Sequence, residues 1–179
     1  VYAFATSAIR GATNGPEFVQ TALEETGITI KVINGNEEAA LIYQGVKSGI
    51  HLPNEHDSLI VDIGGGSVEF IVAEPAMPKL FRSTQLGAAR LIELVEPGDP
   101  ITKVQIQKTE ELIYDGLGTL LEELRQFDIQ TIIGSSGSFE TIGALVAAED
   151  AHKFTLANLN NFRCSAKRVQ DIHKELVNK

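Results

Sequence analysis

The chain contains 179 residues, of which 43% are hydrophobic, and it carries a formal net charge of −9. This length is sufficient for one large domain or two small lobes, and the negative charge argues against general binding to nucleic acid or to an anionic membrane. The single cysteine, Cys164, excludes an internal disulfide and is typical of a reducing compartment, so we expect a cytoplasmic location. No apolar run reaches membrane-spanning length.

The N-terminal segment predicts a strand, a helix and a second strand. Residues 1–6 and 28–33 have strand-like patterns. Between them, residues 14–15 can cap a helix that has Pro16 in its first turn and ends at Gly27. Strand, helix and strand in this order indicate a parallel pair with a crossover helix.

Arg10 lies just past the C-terminal end of the first predicted strand. The carboxyl ends of strands are where α/β sheets bind their ligands, and a guanidinium group there can bind a phosphate with two hydrogen bonds. An isolated arginine is more often a surface residue, however. Position alone therefore leaves both interpretations of Arg10 open.

A second helix is predicted to begin with Asn36 as its N-cap, which places Glu37 and Glu38 in the first turn. Acidic residues at this place complement the helix dipole, and that structural role is sufficient to explain them. The functional alternative is a carboxylate that the positive helix end keeps ionised and that takes a proton from water. Spacing alone favours the structural explanation.

A glycine loop follows the most apolar strand of the chain. Residues 59–63 are typical of a buried central strand, residues 64–67 are three glycines and a serine, and residues 68–73 predict the next strand. Consecutive glycine N–H groups can converge on an anion, and Asp62 beside a phosphate is suited to Mg²⁺. The alternative is an ordinary hairpin turn with solvated Asp62 and Glu69. The spacing excludes the P-loop and dinucleotide fingerprints.

Further elements are predicted after the glycine hairpin. A strand over residues 80–84 would complete an antiparallel meander, and helices are predicted over 87–95, over 102–127 and from Ala166 onward. The longest of them places five apolar side chains on its inward face: Ile113, Leu117, Leu120, Leu121 and Leu124.

A second candidate anion loop lies at residues 134–138, between a strand over 129–133 and a further helix. A strand that leads through small residues to a helix N-terminus can bind an anion, but the same pattern is a close-packed turn with Ser138 as the N-cap. Both interpretations stay open. None of the histidines has the spacing of metal ligands or of a catalytic triad: His51, His56, His152 and His173.

Five segments together resemble the exopolyphosphatase and guanosine pentaphosphate phosphohydrolase family in order and spacing: residues 5–10, 36–46, 62–69, 87–91 and 134–137. That family is similar to the sugar kinase and actin-like ATPase superfamily. The resemblance implies an α/β fold with ribonuclease H-like lobes around a phosphate-binding cleft. Each lobe would have a mixed sheet with an antiparallel hairpin meander, flanked by helices.

The resemblance also implies roles for individual residues. Glu38, rather than Glu37, would be the general base that activates water, and Arg10 would neutralise phosphate charge. Asp62 and Glu69 would hold or orient Mg²⁺. The remaining phosphate ligands would come from the two small-residue loops: Gly64, Gly65, Gly66, Ser67, Ser136 and Gly137.

By the same resemblance, residues 1–36 would be the end of a first actin-like lobe and residues 37–179 a second lobe. The family's first phosphate loop and its C-terminal region have no counterpart in this sequence. We therefore expect the chain to be a piece of a longer protein and to hydrolyse phosphoanhydrides poorly when it is alone.

The implied substrate is inorganic polyphosphate or guanosine pentaphosphate, and the implied assembly is a homodimer without nucleic acid or membrane partners. Two other functional classes stay open at this point. The same loops could hold ATP in a kinase or a chaperone-like protein, or they could serve a non-catalytic sensor of polyphosphate or of guanosine alarmones.

Overall fold

The structure is a computed structural model that describes residues 2–149 and 161–178. Its elements in these ranges are, in chain order, β1 (Ala3–Ala5), α1 (Ser7–Gly11), α2 (Gly15–Thr26), β2 (Ile30–Val32), α3 (Gly35–Gly49), β3 (Asp57–Ile63), β4 (Val68–Ala73), β5 (Pro78–Thr84), α4 (Ala88–Val95), α5 (Lys103–Leu117), α6 (Leu120–Leu124), β6 (Ile129–Ser135), α7 (Gly137–Glu149) and α8 (Ala166–Asn178). Among these helices, none has the length and apolar character needed to cross a membrane. His152 lies outside the described residues.

A four-stranded mixed sheet with the order β5-β4-β3-β6 forms the centre of the fold. Strands β3, β4 and β5 make the predicted antiparallel meander, and β6 runs parallel to β3. A separate parallel pair, β1 and β2, is connected through α2. The prediction of a mixed α/β sheet with a hairpin meander and flanking helices is confirmed.

The two faces of the central sheet pack against different helices, because successive side chains of a strand point to opposite faces. On one face, Ile60 of β3 and Ile71 of β4 lie in a cluster with Ala39 and Tyr43 of α3. On the other face, Val61 belongs to a cluster that includes side chains from α4, α5, α6 and α7. The sheet is therefore covered on both sides, as the continuous apolar run of β3 predicts.

Helix α2 has the bounds that the sequence predicts. Its N-cap is Asn14, Pro16 lies in its first turn, and Gly27 ends it with a φ of 69°. Glycine adopts this left-handed conformation at little cost, so it stops the helix at that point.

The N-cap of α3 is Asn34, so the prediction of Asn36 was wrong. The Asn34 side chain accepts a hydrogen bond of 2.9 Å from the Glu37 N–H, and the Glu37 carboxylate accepts one of 3.0 Å from the Asn34 N–H. This reciprocal capping box satisfies two N–H groups that the helix itself leaves without partners. A cap at Asn36 would place Ala39 where the reciprocating carboxylate has to be. Glu37 and Glu38 lie in the first turn, as predicted.

The single long helix predicted over residues 102–127 is two helices. Helix α5 ends at Gly118, whose φ of 51° is incompatible with helix continuation, and the short α6 follows. Because the chain changes direction there, Leu121 is 40% exposed rather than inward-facing, whereas Leu120 is buried.

The strand predicted over residues 129–133 extends two residues further, to Ser135, and α7 begins at Gly137. Most of the predicted loop over 134–138 is therefore regular structure, and Ser138 is a residue of the helix rather than its N-cap. The last helix, α8, begins at Ala166 as predicted. The division of the chain after residue 36 stays a prediction.

Candidate active site

Two carboxylates and a serine form a polar row across the central sheet. In the strand register, Asp62 of β3 lies opposite Glu69 of β4, and Glu69 lies opposite Ser83 of β5. These residues are two positions along their strands from Ile60 and Ile71, so they share the face that packs against α3. The row therefore ends next to the N-terminus of that helix.

Glu69 is almost completely buried, with 1% of its surface exposed, and the Ser83 hydroxyl donates a hydrogen bond of 2.7 Å to its Oε1 atom. Burial raises the pKa of Glu69 above its ordinary value, and the negative charges of Glu38 and Asp62 raise it further. The hydroxyls of Ser83 and Ser67 favour the ionised form and oppose this rise in pKa. Glu38 and Asp62 are thus near enough to Glu69 for their negative charges to act on it.

Arg10 of α1 contacts Glu38 of α3 through its guanidinium group. Its Nη1 atom lies 3.1 Å from Oε2 of Glu38 and donates a second bond of 2.7 Å to the carbonyl oxygen of Ile33. Its Nη2 atom is buried and has no hydrogen-bond partner among the described residues. The guanidinium group thus fixes the Glu38 carboxylate and retains donor capacity for an additional ligand.

Glu37 has a different environment from Glu38, although the two are adjacent in sequence. Its carboxylate accepts the Asn34 N–H in the capping box and pairs with the Lys31 ammonium group at 2.7 Å. The hydrogen bond from Lys31, followed by that from the Asn34 backbone, lowers the pKa of Glu37 below its ordinary value. The Glu37 carboxylate therefore belongs to the helix cap, whereas the Glu38 carboxylate pairs with Arg10.

The glycine loop, residues 64–67, is fixed through its carbonyl groups. The N–H groups of Ala88 and Arg90 in the first turn of α4 donate to the carbonyl oxygens of Gly64 and Gly65, at 2.9 and 3.1 Å. Gly87, the residue before α4, fits directly against the loop, because a Cβ atom there would overlap the backbone of Gly65. Helix α4 therefore holds the loop from one side.

The amide side of the glycine loop is open. Gly64 donates its N–H to the Ser67 carbonyl oxygen at 3.0 Å, which closes the turn. Among the described residues, no hydrogen bond engages the N–H groups of Gly65, Gly66 and Ser67. Consecutive N–H donors without acceptors are the arrangement that binds an oxygen-rich anion.

The second small-residue loop supports the first one. Ser136, at a φ of 75°, donates its hydroxyl to the carbonyl oxygen of Ile63 at 2.8 Å, directly before the glycine loop. The Ser138 hydroxyl donates to the same oxygen at 3.3 Å. Gly137 is the first residue of α7, and a Cβ atom there would meet nothing within 4 Å. The Ser136 side chain is thus engaged by the protein, while the surroundings of Gly137 are open.

Asp62 and Glu69 are the carboxylates of the polar row that could contact a metal ion. Within the described ranges, no group of three or more His, Cys, Asp or Glu side chains is arranged to hold a metal ion. Magnesium commonly uses only one or two protein carboxylates and completes its coordination with water and substrate phosphate, and the facing pair Asp62 and Glu69 fits that mode. Asp62 is the more accessible of the two, since Glu69 is 1% exposed.

A cavity of about 670 Å³ lies beside the N-terminus of α3 and is lined by Arg10, Asn34, Gly35, Asn36, Glu37, Ala40, Arg82, Ser83 and Gln85. It connects the arginine to the outer end of the polar row. The sequence did not indicate Ser83 as a site residue, because its contact with Glu69 depends on the β4–β5 register. A register between strands cannot be read from residue types alone.

Comparison with known proteins gives one family and several similar structures. The sequence model of the Ppx/GppA phosphatase family matches residues 1–179. A crystal structure of an exopolyphosphatase from Cytophaga hutchinsonii is similar with a TM-score of 0.89 and 29% sequence identity, over 100% of this chain and 57% of that one. The Ppx/GppA family member from Aquifex aeolicus is similar with a TM-score of 0.73 and 25% identity, over 100% of this chain and 56% of that one. The chain thus spans little more than half the length of these structures.

Proposed function

This chain belongs to the Ppx/GppA phosphatase family, and we propose that the protein to which it contributes is a phosphoanhydride hydrolase. The proposed reaction releases the terminal phosphate of inorganic polyphosphate, of guanosine pentaphosphate or of both. Similarity to an exopolyphosphatase over the whole chain supports the first substrate. The cytoplasmic location expected from the single cysteine is part of the same proposal.

The proposed assignment of the site rests on the hydrogen bonding of the Arg10 guanidinium group. Arg10 uses Nη1 to hold Glu38, and its buried Nη2 has no partner in the part of the chain that the structure describes. A guanidinium group in this state is ready to bind an anion next to a fixed carboxylate. The open N–H groups of Gly65 and Gly66 supply further donors for the same anion.

In the proposed mechanism, Glu38 is the general base. Its carboxylate takes a proton from a water molecule, the water oxygen attacks the terminal phosphorus in line, and the bond from that phosphorus to the bridging oxygen breaks. The products are inorganic phosphate and a chain shorter by one phosphate. Catalysis of this reaction depends on positioning and on neutralising the charge of the equatorial oxygens, which are the roles of Arg10 and the glycine loop.

Asp62 would hold Mg²⁺, and Glu69 would orient it from its buried position. When bound, the ion would neutralise charge on the phosphate oxygens. Ser83 keeps the Glu69 carboxylate in place through its 2.7 Å hydrogen bond. Asp62 and Glu69 would therefore hold the group that neutralises the substrate's charge, while Glu38 takes the proton from water.

The test compares Glu38→Gln with Glu37→Gln in the full-length protein, because the two positions are adjacent but have different partners. Phosphate release is measured from long-chain polyphosphate and from guanosine pentaphosphate, with and without Mg²⁺. We expect Glu38→Gln to lower kcat by about 10²- to 10⁴-fold, the range for loss of a general base. Glu37→Gln should retain most activity, since glutamine also completes a capping box.

Two results would contradict the proposal. Full activity of Glu38→Gln would exclude this carboxylate as the base. Absence of phosphate release from both substrates by the wild-type protein, with phosphate binding retained, would instead favour the sensor class.

A further inference from the structure

Ser7, the first residue of α1, has a buried hydroxyl group without a partner. The residue is 7% exposed, and its Oγ atom has no hydrogen-bond partner among the described residues. This hydroxyl lies directly against the glycine loop, because a Cβ atom added to Gly66 would come within 2.6 Å of it. Buried hydroxyl groups are almost always hydrogen-bonded, so an unpartnered one next to an open row of N–H groups needs an explanation.

Arg10, in the same helix as Ser7, is a second residue with a buried donor group that lacks a partner among the described residues. Positions three apart in a helix share a face, so Arg10 lies on the face of α1 that carries Ser7. Its Nη2 atom is likewise buried, and it has no partner within residues 2–149 and 161–178. Every unpartnered group at this place is able to donate a hydrogen bond: the Ser7 hydroxyl, the Arg10 nitrogen and the N–H groups of Gly65 and Gly66. A ligand that engages all of these donors has to supply several acceptor atoms, as a phosphoryl group does.

We propose that Ser7 is a substrate-binding residue whose hydroxyl donates to an oxygen of the phosphoryl group bound over Gly66. Arg10 Nη2 contacts the same group, so both side chains of α1 contribute donors to the anion site. The identity of the ligand as a polyphosphate terminus rests on the proposed function. The anion site itself does not, and it can be tested with inorganic phosphate.

The experiment measures binding of inorganic phosphate and of tripolyphosphate to the full-length protein by titration calorimetry. We expect Ser7→Ala to weaken phosphate binding by about tenfold, the effect of losing one hydrogen bond to a charged group. Thermal unfolding without ligand should show no loss of stability, because alanine removes a polar group that is unsatisfied in the free protein. A residue with a merely structural role would not show loss of binding without loss of stability.

Ser58 provides a matched control. It is also a fully buried serine with an unpartnered hydroxyl, and it lies opposite Ala73 at the other end of β3 from the glycine loop. We expect Ser58→Ala to leave binding of both ligands unchanged.

The proposal is overturned if Ser7→Ala binds phosphate as tightly as the wild type, if it loses stability in proportion to binding, or if Ser58→Ala weakens binding equally. Failure of the proposed function gives a different result: the wild type binds phosphate and Ser7→Ala weakens that binding, but neither substrate is hydrolysed. Absence of phosphate and tripolyphosphate binding by the wild type overturns both proposals.

Discussion

The Nη1 atom of Arg10 lies 3.1 Å from Oε2 of Glu38 and simultaneously donates to the Ile33 carbonyl oxygen. The contact joins the end of the short α1 to the first turn of α3, across 28 residues of chain. Because Nη1 makes both bonds, Nη2 is left to donate to another group. The guanidinium group is planar, so the orientation that places Nη1 on Glu38 also fixes the direction of Nη2. The carboxylate and the group proposed to bind the anion are thus held in a fixed relation.

Arg10→Lys tests whether the Arg10 side chain has to contact both Glu38 and an anion. Lysine retains the charge but has a single terminal nitrogen, which can replace either the contact with Glu38 or the contact with an anion, not both. We expect kcat/KM for polyphosphate to fall by about 10²-fold, a loss comparable to that of one preorganised electrostatic donor. Steady-state kinetics of the full-length protein would measure it.

Arg125→Lys is the control for that substitution, because Arg125 pairs with Glu122 on the surface and both side chains are more than two-thirds exposed. It should leave kcat/KM unchanged. If Arg10→Lys were as active as Arg125→Lys, the guanidinium geometry would be irrelevant to the site.

Glu69→Gln should stabilise the protein at neutral pH. The pKa of Glu69 is raised above its ordinary value of 4.5, chiefly by burial, so between these two pKa values the folded state binds more protons than the unfolded state. The stability contributed by this group is fully present below the unfolded pKa and is lost as the pH rises through the folded pKa. Glutamine avoids the cost of ionising the buried group and still accepts the Ser83 hydrogen bond.

Urea unfolding at pH 7 and at pH 4 would check this prediction. The free energy of unfolding of Glu69→Gln should exceed that of the wild type at pH 7, and the difference should shrink at pH 4. Glu122→Gln, on the surface, should show neither effect. A Glu69→Gln protein less stable than the wild type at pH 7 would mean that the ionised carboxylate is stabilised by its surroundings.

Gly35→Ala, at the first position of α3, should displace the side chain that holds Glu69. A Cβ atom at Gly35 would overlap the Ser83 side chain, whose hydroxyl holds Glu69. We expect the substitution to cost about 1–3 kcal/mol of unfolding free energy through overpacking and to reduce activity by displacing Ser83. Denaturant unfolding and phosphate release would be measured on the same preparation.

Gly45→Ala, in the same helix, is the control for Gly35→Ala, because the added methyl group there overlaps no described atom. Nothing lies within 4 Å of a Cβ atom at Gly45, so alanine should stabilise α3 by about 0.5–1 kcal/mol. Its activity should be unchanged. Equal effects of the two alanines would show that helix propensity, rather than the contact with Ser83, determines the result at Gly35.

Local signals in the sequence were sufficient for most of the fold. Helix α2 follows from Pro16 and Gly27, and the β3–β4 hairpin follows from an apolar run that ends in glycines. The N-cap of α3 was also readable, because Asn34 has a glutamate three residues later and Asn36 does not. The break of the long helix at Gly118 requires a positive φ that glycine permits but does not impose.

The site could be predicted only in part, because its contacts join distant segments. Spacing alone favoured a structural role for Glu38, and only the family resemblance indicated catalysis. The pairing of Ser83 with Glu69 depends on strand register, and the burial of Ser7 against Gly66 depends on how α1 packs against the loop. Neither relation has a signature in residue order.

Gly87→Ala should damage the anion site without altering any residue proposed to bind substrate. A Cβ atom at Gly87 would overlap the backbone of Gly65, so α4 would have to move away from the loop that its N–H groups hold. We expect unfolding free energy to fall by about 1–3 kcal/mol, and phosphate binding to weaken because the open N–H groups lose their alignment. Gly49→Ala, where a Cβ atom meets nothing within 4 Å, is the matched control and should bind phosphate normally. Wild-type phosphate affinity in Gly87→Ala would show that the loop keeps its conformation without support from α4, and the anion would then have to depend mainly on the side chains of α1.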